Sequence, residues 1–459
     1  MTRGTGSSWR IAWVAASLTA CAVLAACGPR ASAPALAPAG IGANARDASW
    51  EAAAPTGLGA IQHVVVIVQE NRSFDDLFQG FPGANTVSSG LNSKGQTIPL
   101  QPIPLEAPWN IDHEAKEFFQ ACDGAPRGRN CKMDGFDKET TFGTHPPANL
   151  QYAYVPHSET KPYFDIAKQY VLADNMFPSQ LDESFESHQY IIAAQANRAV
   201  DGPVGEYGCG DPSAMVLTLL RDRHYGPRES PCFTTPTIGS ELDAKALPWR
   251  YYAANPSDLG ALWSAYRASS YVFNGPDWTA DVINPSAVVL KDIGRGHLAA
   301  VTWVTPTCKT SDHASCLSNE GPDWVASVVN AVGESKFWNS TAIFIMWDEW
   351  GGWYDHVPPP YLDYDGSGIR VPLMVVSAYA KKHYVSHVQY EHGSILKFIE
   401  DTFGLARLAR SDTRANSPAG DCFDFSAPPR QFVPIPTTLK PEHFIDAPPD
   451  PRPPQPGID

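Results

Sequence analysis

The chain has no Cys-x-x-Cys pair, no uninterrupted apolar run of membrane-spanning length, no internal repeat and no excess of basic residues. Each absence removes a class of function. Without Cys-x-x-Cys spacing, a zinc–thiolate centre has no support. Without a run of about 18 or more apolar residues, neither has a transmembrane helix. With 34 Lys and Arg against 49 Asp and Glu, a net charge of −15, there is no general attraction to nucleic acid. An anionic ligand must then be captured by local groups, such as a metal, backbone amides or histidines, that outweigh the overall field.

The N-terminus reads as an export signal. Arg3 and Arg10 precede the small-residue-rich apolar segment from Ile11 to Ala26, which is too short for a stable span. Leu24-Ala25-Ala26-Cys27 resembles the bacterial lipobox, in which the cysteine carries lipid and becomes the mature N-terminus; Leu18-Thr19-Ala20-Cys21 is a weaker copy. Residues 1–26 are thus expected to be a lipoprotein signal peptide, with Cys27 the lipidation site. Residues 27–58, rich in Ala, Pro and Gly, are expected to be a flexible tether. The expected location is the bacterial cell envelope, lipid-anchored, periplasmic or at the surface. Export favours disulfides. By proximity, Cys122 pairs with Cys131, Cys209 with Cys232 and Cys308 with Cys316, leaving Cys422 over.

Beyond the tether, strand and helix patterns alternate. Val64 to Val68 is β-branched throughout, as in a strand buried on both faces of a parallel sheet. Residues 80–150, dense in Gly, Pro, Asn and Asp, read as loops. Helical spacing in 162–170 leads into a strand from Val171; a helix is expected over about 189–197 and another over 259–268. Strands are expected over 298–304, 341–347 and 371–377, and helices over 324–332 and 394–403, the last stopped by Gly404. The order predicts an α/β fold of three layers, a mainly parallel sheet with helices on both faces and long loop insertions. One large domain is expected over 59–425, followed by a Pro-rich tail over 426–459.

In such sheets ligands bind beyond the carboxyl ends of the strands. Glu70-Asn71 follows the first strand and Asp348-Glu349 the strand 341–347, while Ser184 with His188, Asp312-His313 and Asp355-His356 lie in loops or at helix starts. Glu70, Asn71, Asp348, Glu349 and a serine oxygen form a hard-oxygen set for one divalent cation. Such a cation would lower the pKa of Ser184 and hold it as a nucleophile towards phosphorus, and histidines would protonate the leaving group.

These segments carry a resemblance. Gln69-Glu-Asn-Arg-Ser-Phe-Asp75, Leu181-Asp-Glu-Ser-Phe-Glu-Ser-His188, Ser311-Asp-His313, the run Trp347-Asp-Glu-Trp-Gly-Gly-Trp-Tyr-Asp-His-Val-Pro-Pro-Pro360, Arg370 to Ser377 and Tyr390 to Glu400 together resemble the bacterial phosphoesterase family of phospholipases C and related acid phosphatases. The match runs in order over roughly residues 59–406. It implies an alkaline-phosphatase-like core, a phosphoserine intermediate on Ser184, and Glu70, Asn71, Ser184, Asp348 and Glu349 around one divalent metal ion. Hard ligands point to Ca, Mg or Mn and leave Zn open. His113 and His313 resemble phosphate-contacting histidines. Asp312, Asp355, His356, His392 and His188 are implied as further site contacts, with bracing of the loop before the Pro358-Pro-Pro360 turn the alternative for Asp355, and capping or bracing of the helix after the nucleophile the alternative for His188.

The common Gly-Pro before the nucleophile is Asp182-Glu183 here, and the Pro-Asn after it is Glu186-Ser187. Ser rather than Thr at position 184, and the lack of extra C-terminal β-domains, lean towards an acid phosphatase acting on small phosphate esters. Trp109, Trp263, Trp278, Trp350 and Trp353 would suit the alternative, a phospholipase C acting on phospholipid headgroups. A sulfatase reading rests on Ser426-Ala-Pro-Pro-Arg430, which falls in the tail after every other motif and is taken as chance. A non-catalytic surface lipoprotein on the same fold is the remote alternative. The oligomeric state has no signature in the sequence.

Overall fold

The computed structural model describes residues 57–204 and 208–452. The signal segment, Cys27 and nearly all of the tether lie outside the described residues. Among those described, no helix is long and apolar enough to cross a membrane.

The core is one nine-stranded sheet. In chain order its strands are β1 (His63–Gln69), β2 (Val171–Phe177), β3 (Trp249–Tyr252), β4 (Val282–Ile283), β5 (Val301–Val304), β6 (Thr341–Trp347), β7 (Val371–Ser377), β8 (Tyr384–Ser386) and β9 (Tyr390–Glu391). They lie in the order β4-β3-β5-β1-β6-β7-β2-β8, with β9 also paired to β2. All are parallel except β7, which runs against β6 and β2. The β-branched and apolar runs of β1 and β6 sit at the centre, with Val64 to Val68 and every residue of β6 buried.

The helices that matter for the site are α1 (Phe74–Phe78), α2 (Lys161–Gln169), α3 (Ser184–Ala193), α4 (Gly321–Gly333) and α5 (His392–Phe403). They cover both faces. Phe344 of β6 meets Phe398 of α5, whereas Trp347, an odd number of residues along the strand, meets Tyr163 of α2. The three-layer expectation holds.

Several local expectations change. The helix after Phe177 begins at Ser184, five residues earlier than its apolar residues imply, and residues 259–268 form two short 3₁₀ turns in place of one helix. The loop-rich stretch 80–150 contains a helix over Ala115–Cys122. The three disulfides are those expected from proximity, and Cys422 is free and buried. The described part of the tail, residues 426–452, is packed: Ile435 and Phe444 are buried, and the Arg430 carbonyl accepts from the Trp338 indole at 2.7 Å.

Buried carboxyls make stability depend on pH. Burial pushes Glu400 of α5 up to about 8 despite its contact with Arg407, and pushes Asp365 up to about 7. A carboxyl raised in the folded state holds a proton that the unfolded chain releases, so its stabilisation is present below about pH 4 and is lost as pH rises through the folded value. Half-buried His63 and buried His113 and His392, all driven down by burial, act oppositely, but only below about pH 6.5. The melting midpoint in chelator-containing buffer is therefore expected to fall between pH 6.5 and 8.5. Differential scanning fluorimetry checks this; a rise across that window would contradict it.

Candidate active site

Parallel strands bring their carboxyl ends to one edge, and β1, β2, β5, β6 and β9 all deliver polar residues there. From β1 come Glu70 and Asn71, both buried. Asn71 has φ 55°, a left-handed conformation that asparagine tolerates better than most residues. The sharp turn points its N–H at Asp348 Oδ1 (3.0 Å), tying the end of β1 to the end of β6. Gly351 packs beneath: a Cβ there would lie 2.3 Å from the Asn71 carbonyl oxygen.

Ser184 is the first residue of α3, after Glu183 as N-cap. Its hydroxyl stands 3.3 Å from Glu70 Oε2 and 3.4 Å from Asn71 Oδ1. His188 is four residues on, so it shares the helix face with Ser184. Its Nε2 lies 2.9 Å from Glu70 Oε1 and 3.8 Å from Asp348 Oδ2. Glu70, His188 and Asp348 present ligand atoms within 4.8 Å of one another. Burial pushes the Asp348 carboxyl well up, and the neighbouring Glu70 adds to it. Two buried carboxylates with an imidazole and a serine hydroxyl at their rim form a donor set suited to a divalent cation, which would also relieve their mutual repulsion.

His188, a possible site contact or a helix brace from sequence, lies with the metal-competent group. Glu349 reaches the same group from the other side: its Oε2 accepts from the Gly351 N–H at 2.6 Å, and its Oε1 lies 3.6 Å from His113 Nε2. His113 is set by two contacts. Its Nδ1–H donates to the Ile111 carbonyl at 2.7 Å, so Nε2 is the acceptor and meets Asn71 Nδ2 at 3.0 Å. Burial lowers its pKa and keeps the ring neutral. His313 lies 6.3 Å from His113 between ring centroids and 5.7 Å from the indole of Trp263, with Nδ1 donating to the Ala314 carbonyl. His392 opens α5; burial brings it down to about 3, and His188 adds to the shift.

Asp312 turns away from this group. Its Oδ2 accepts from Tyr163 at 2.8 Å and from the Trp347 indole at 3.0 Å, and burial pushes it up to about 7. The His313 loop is held by a residue the sequence reading passed over: buried Arg72 donates to the Asp312 carbonyl at 2.8 Å, pairs with Asp76 at 3.1 Å and stacks 4.7 Å from Trp353.

Asp355 and His356 belong to a separate brace. Arg370, at the start of antiparallel β7, reaches the same edge and donates twice to Asp355 at 3.0 Å and once to Asp75 at 3.4 Å. Asp75 also accepts from His356 Nδ1 at 2.6 Å, and Asp355 accepts from the Asp75 N–H at 3.1 Å. These three acidic and imidazole groups could also approach a metal together. The guanidinium already supplies the positive charge they need.

Known proteins share this sequence pattern. The chain is 25% identical to the non-hemolytic phospholipase C of Pseudomonas aeruginosa, over 86% of this chain and 62% of that one. It therefore spans less than two thirds of that relative's length. It is 24% identical to phospholipase C B of Mycobacterium tuberculosis, covering 83% and 81%, and 25% identical to non-specific phospholipase C6 of Arabidopsis thaliana, covering 75% and 68%. Among solved structures, an alkaline phosphatase superfamily protein from Vibrio parahaemolyticus aligns over 79% of this chain and 72% of its own, with 8% identity and a TM-score of 0.36. With residues 61–406 matched by the model of the Phosphoesterase family, the chain belongs to the phosphoesterase family.

Proposed function

We propose that the chain is an exported phosphoesterase that cleaves phosphate esters through Ser184. The observation that carries the reading is the Ser184 hydroxyl, held at the N-terminus of α3 within 3.4 Å of Glu70 and Asn71. Glu70, His188, Asp348 and Ser184 would hold one divalent cation, with Asn71 at its edge. When bound, the cation would lower the pKa of the serine hydroxyl and offset negative charge on the phosphoryl group.

The remaining steps belong to the chain's own residues. Ser184 Oγ attacks phosphorus and the ester oxygen departs on the opposite side, leaving a phosphoseryl enzyme. The positive end of the α3 dipole favours the negative charge gathering there. Neutral His113, its Nε2 accepting from Asn71 Nδ2, would fix the Asn71 amide so that its Oδ1 faces the Ser184 hydroxyl. His313, its Nδ1–H bound to the Ala314 carbonyl, would donate from Nε2 as the imidazolium the proton that the leaving oxygen takes up. Water then attacks phosphorus, restores the serine and releases the phosphate product.

Carboxyls surround the nucleophile: Asp182, Glu183 and Glu186 are all buried beside it. A phosphodiester brings one negative charge to this wall, whereas a monoester brings up to two. The acidic flank therefore supports a diester substrate of the phospholipase C kind, the activity for which the curated relatives are named. The serine in place of threonine supports the second reading, a phosphomonoesterase. Assaying the purified chain against p-nitrophenyl phosphorylcholine and p-nitrophenyl phosphate, with and without chelator, separates the two. Faster turnover of the diester, lost on chelation, is expected. Preference for the monoester would favour the phosphatase, and full chelator resistance would overturn the metal assignment.

A further inference from the structure

Beside the serine site a second set of carboxylates converges. Asp112, Glu114 and Glu117 each present an oxygen, and these oxygens lie within 4.8 Å of one another. Asp112 follows the short strand Asn110–Ile111, Glu114 is the N-cap of the helix Ala115–Cys122, and Glu117 sits in its first turn. A helix dipole ordinarily accounts for one or two acids at such a position. Here Glu114 makes no side-chain capping bond, and the first helical N–H, that of Ala115, is taken by another acid, Asp201, at 3.0 Å.

Two buried groups have acceptor capacity left over. The Glu117 side chain is fully buried; its Oε1 accepts from Lys116 at 2.9 Å and from Gln120 at 3.0 Å, while its Oε2 meets no donor. Glu139 is 5% exposed, and neither of its carboxylate oxygens has a hydrogen-bond partner; the Trp350 indole faces it without hydrogen-bond geometry. Burial pushes the Glu139 carboxyl well up, against the Trp350 indole, and Glu117 and Asp112 push it further, which places all three carboxyls in one neighbourhood. Lys116, the cation at hand, is 61% exposed and engages only one oxygen of Glu117.

We propose that Asp112, Glu114 and Glu117 bind a second hard divalent cation of the calcium type, with the unpartnered Glu139 carboxyl behind them. The donors are all carboxylate oxygens, without the histidine of the first group, and calcium accepts such irregular oxygen shells. The site adjoins the nucleophile wall on two sides. Asp112 immediately precedes His113, and Asp201, which holds the Ala115 N–H, gives its own N–H to Asp182 Oδ2 at 2.5 Å, two residues before Ser184. A cation here would screen the acidic wall that an incoming phosphate ester must approach. The inference stands independently of the serine chemistry.

Equilibrium dialysis of the purified full chain against radioactive calcium tests it without reference to activity. The Glu114→Gln/Glu117→Gln variant is expected to bind one calcium fewer per chain than the wild type. Asp112→Asn, a half-exposed single change that spares the buried helix turn, is expected to weaken that calcium about tenfold or more. Circular dichroism confirms folding, and Asp112→Asn decides the matter if the double variant does not fold. Wild-type calcium binding by either folded variant would overturn the site. Glu70→Gln alters only the serine site and is expected to keep the calcium that Asp112→Asn weakens, so the two metal assignments fail separately.

Discussion

Replacing Ser184 with alanine is expected to lower phosphoester turnover by about 10³-fold or more, with KM changing far less. The substitution removes one oxygen from a fully buried position at the start of α3. It leaves the Glu70–His188 contact and the Asn71–Asp348 tie untouched. Folding should survive, because alanine is a good helix former and the hydroxyl makes only long hydrogen bonds of 3.3 and 3.4 Å. A structural serine would give a different result: a small change in rate together with a shift in melting midpoint. Steady-state kinetics with p-nitrophenyl phosphorylcholine, accompanied by a thermal melt, distinguishes the two.

Arg370→Met is expected to destabilise the fold by about 3–5 kcal/mol, because removing one partner of a buried ion pair leaves the other charge uncompensated. Both Asp75 and Asp355 are fully buried and lean on this guanidinium, which also lies 4.5 Å from the ring of Phe74. Methionine keeps part of the packing, so the loss reports mainly on charge. Urea unfolding measures it. Adding Asp355→Asn to the variant should recover part of the loss, since one stranded carboxylate then disappears. A change below about 1 kcal/mol would mean that Asp355 and Asp75 protonate at little cost, and that the brace is not electrostatic.

What the sequence discloses depends on the kind of signal each element carries. Strands β1 and β6 stand out because an apolar, partly β-branched run ends at a charged residue, β7 because such a run follows Arg370, and burial on both faces requires those runs. Helix α3 hides its true start because every residue from Ser184 to Ala193 is buried, so its first turn shows no apolar stripe against a polar one. The misplaced start conceals that His188 shares a helix face with Ser184. Once the helix begins at Ser184, a spacing of four residues puts the imidazole on the nucleophile's face, and the metal-competent role follows from geometry. Glu349 shows what adjacency leaves open: its carboxylate accepts from the Gly351 N–H and lies near His113, contacts that no sequence spacing discloses.

Strand direction is the other thing composition does not record. Val371 to Ser377 looks like its parallel neighbours, yet it runs against them, and only that reversal brings Arg370 to the edge where Asp75 and Asp355 lie. The acids around residues 112–117 were concealed for a similar reason. They sit in a stretch whose Gly, Pro and Asp content reads as loop, although a helix of eight residues forms there.

The most direct test of the central claim is to quench the enzyme in acid during turnover of p-nitrophenyl phosphorylcholine, digest it and locate any adduct by mass spectrometry. The account predicts a phosphorylcholine group on the peptide containing Ser184, attached at that serine and absent from Ser184→Ala. A phosphoryl adduct on a histidine, or undiminished turnover by Ser184→Ala, would contradict it.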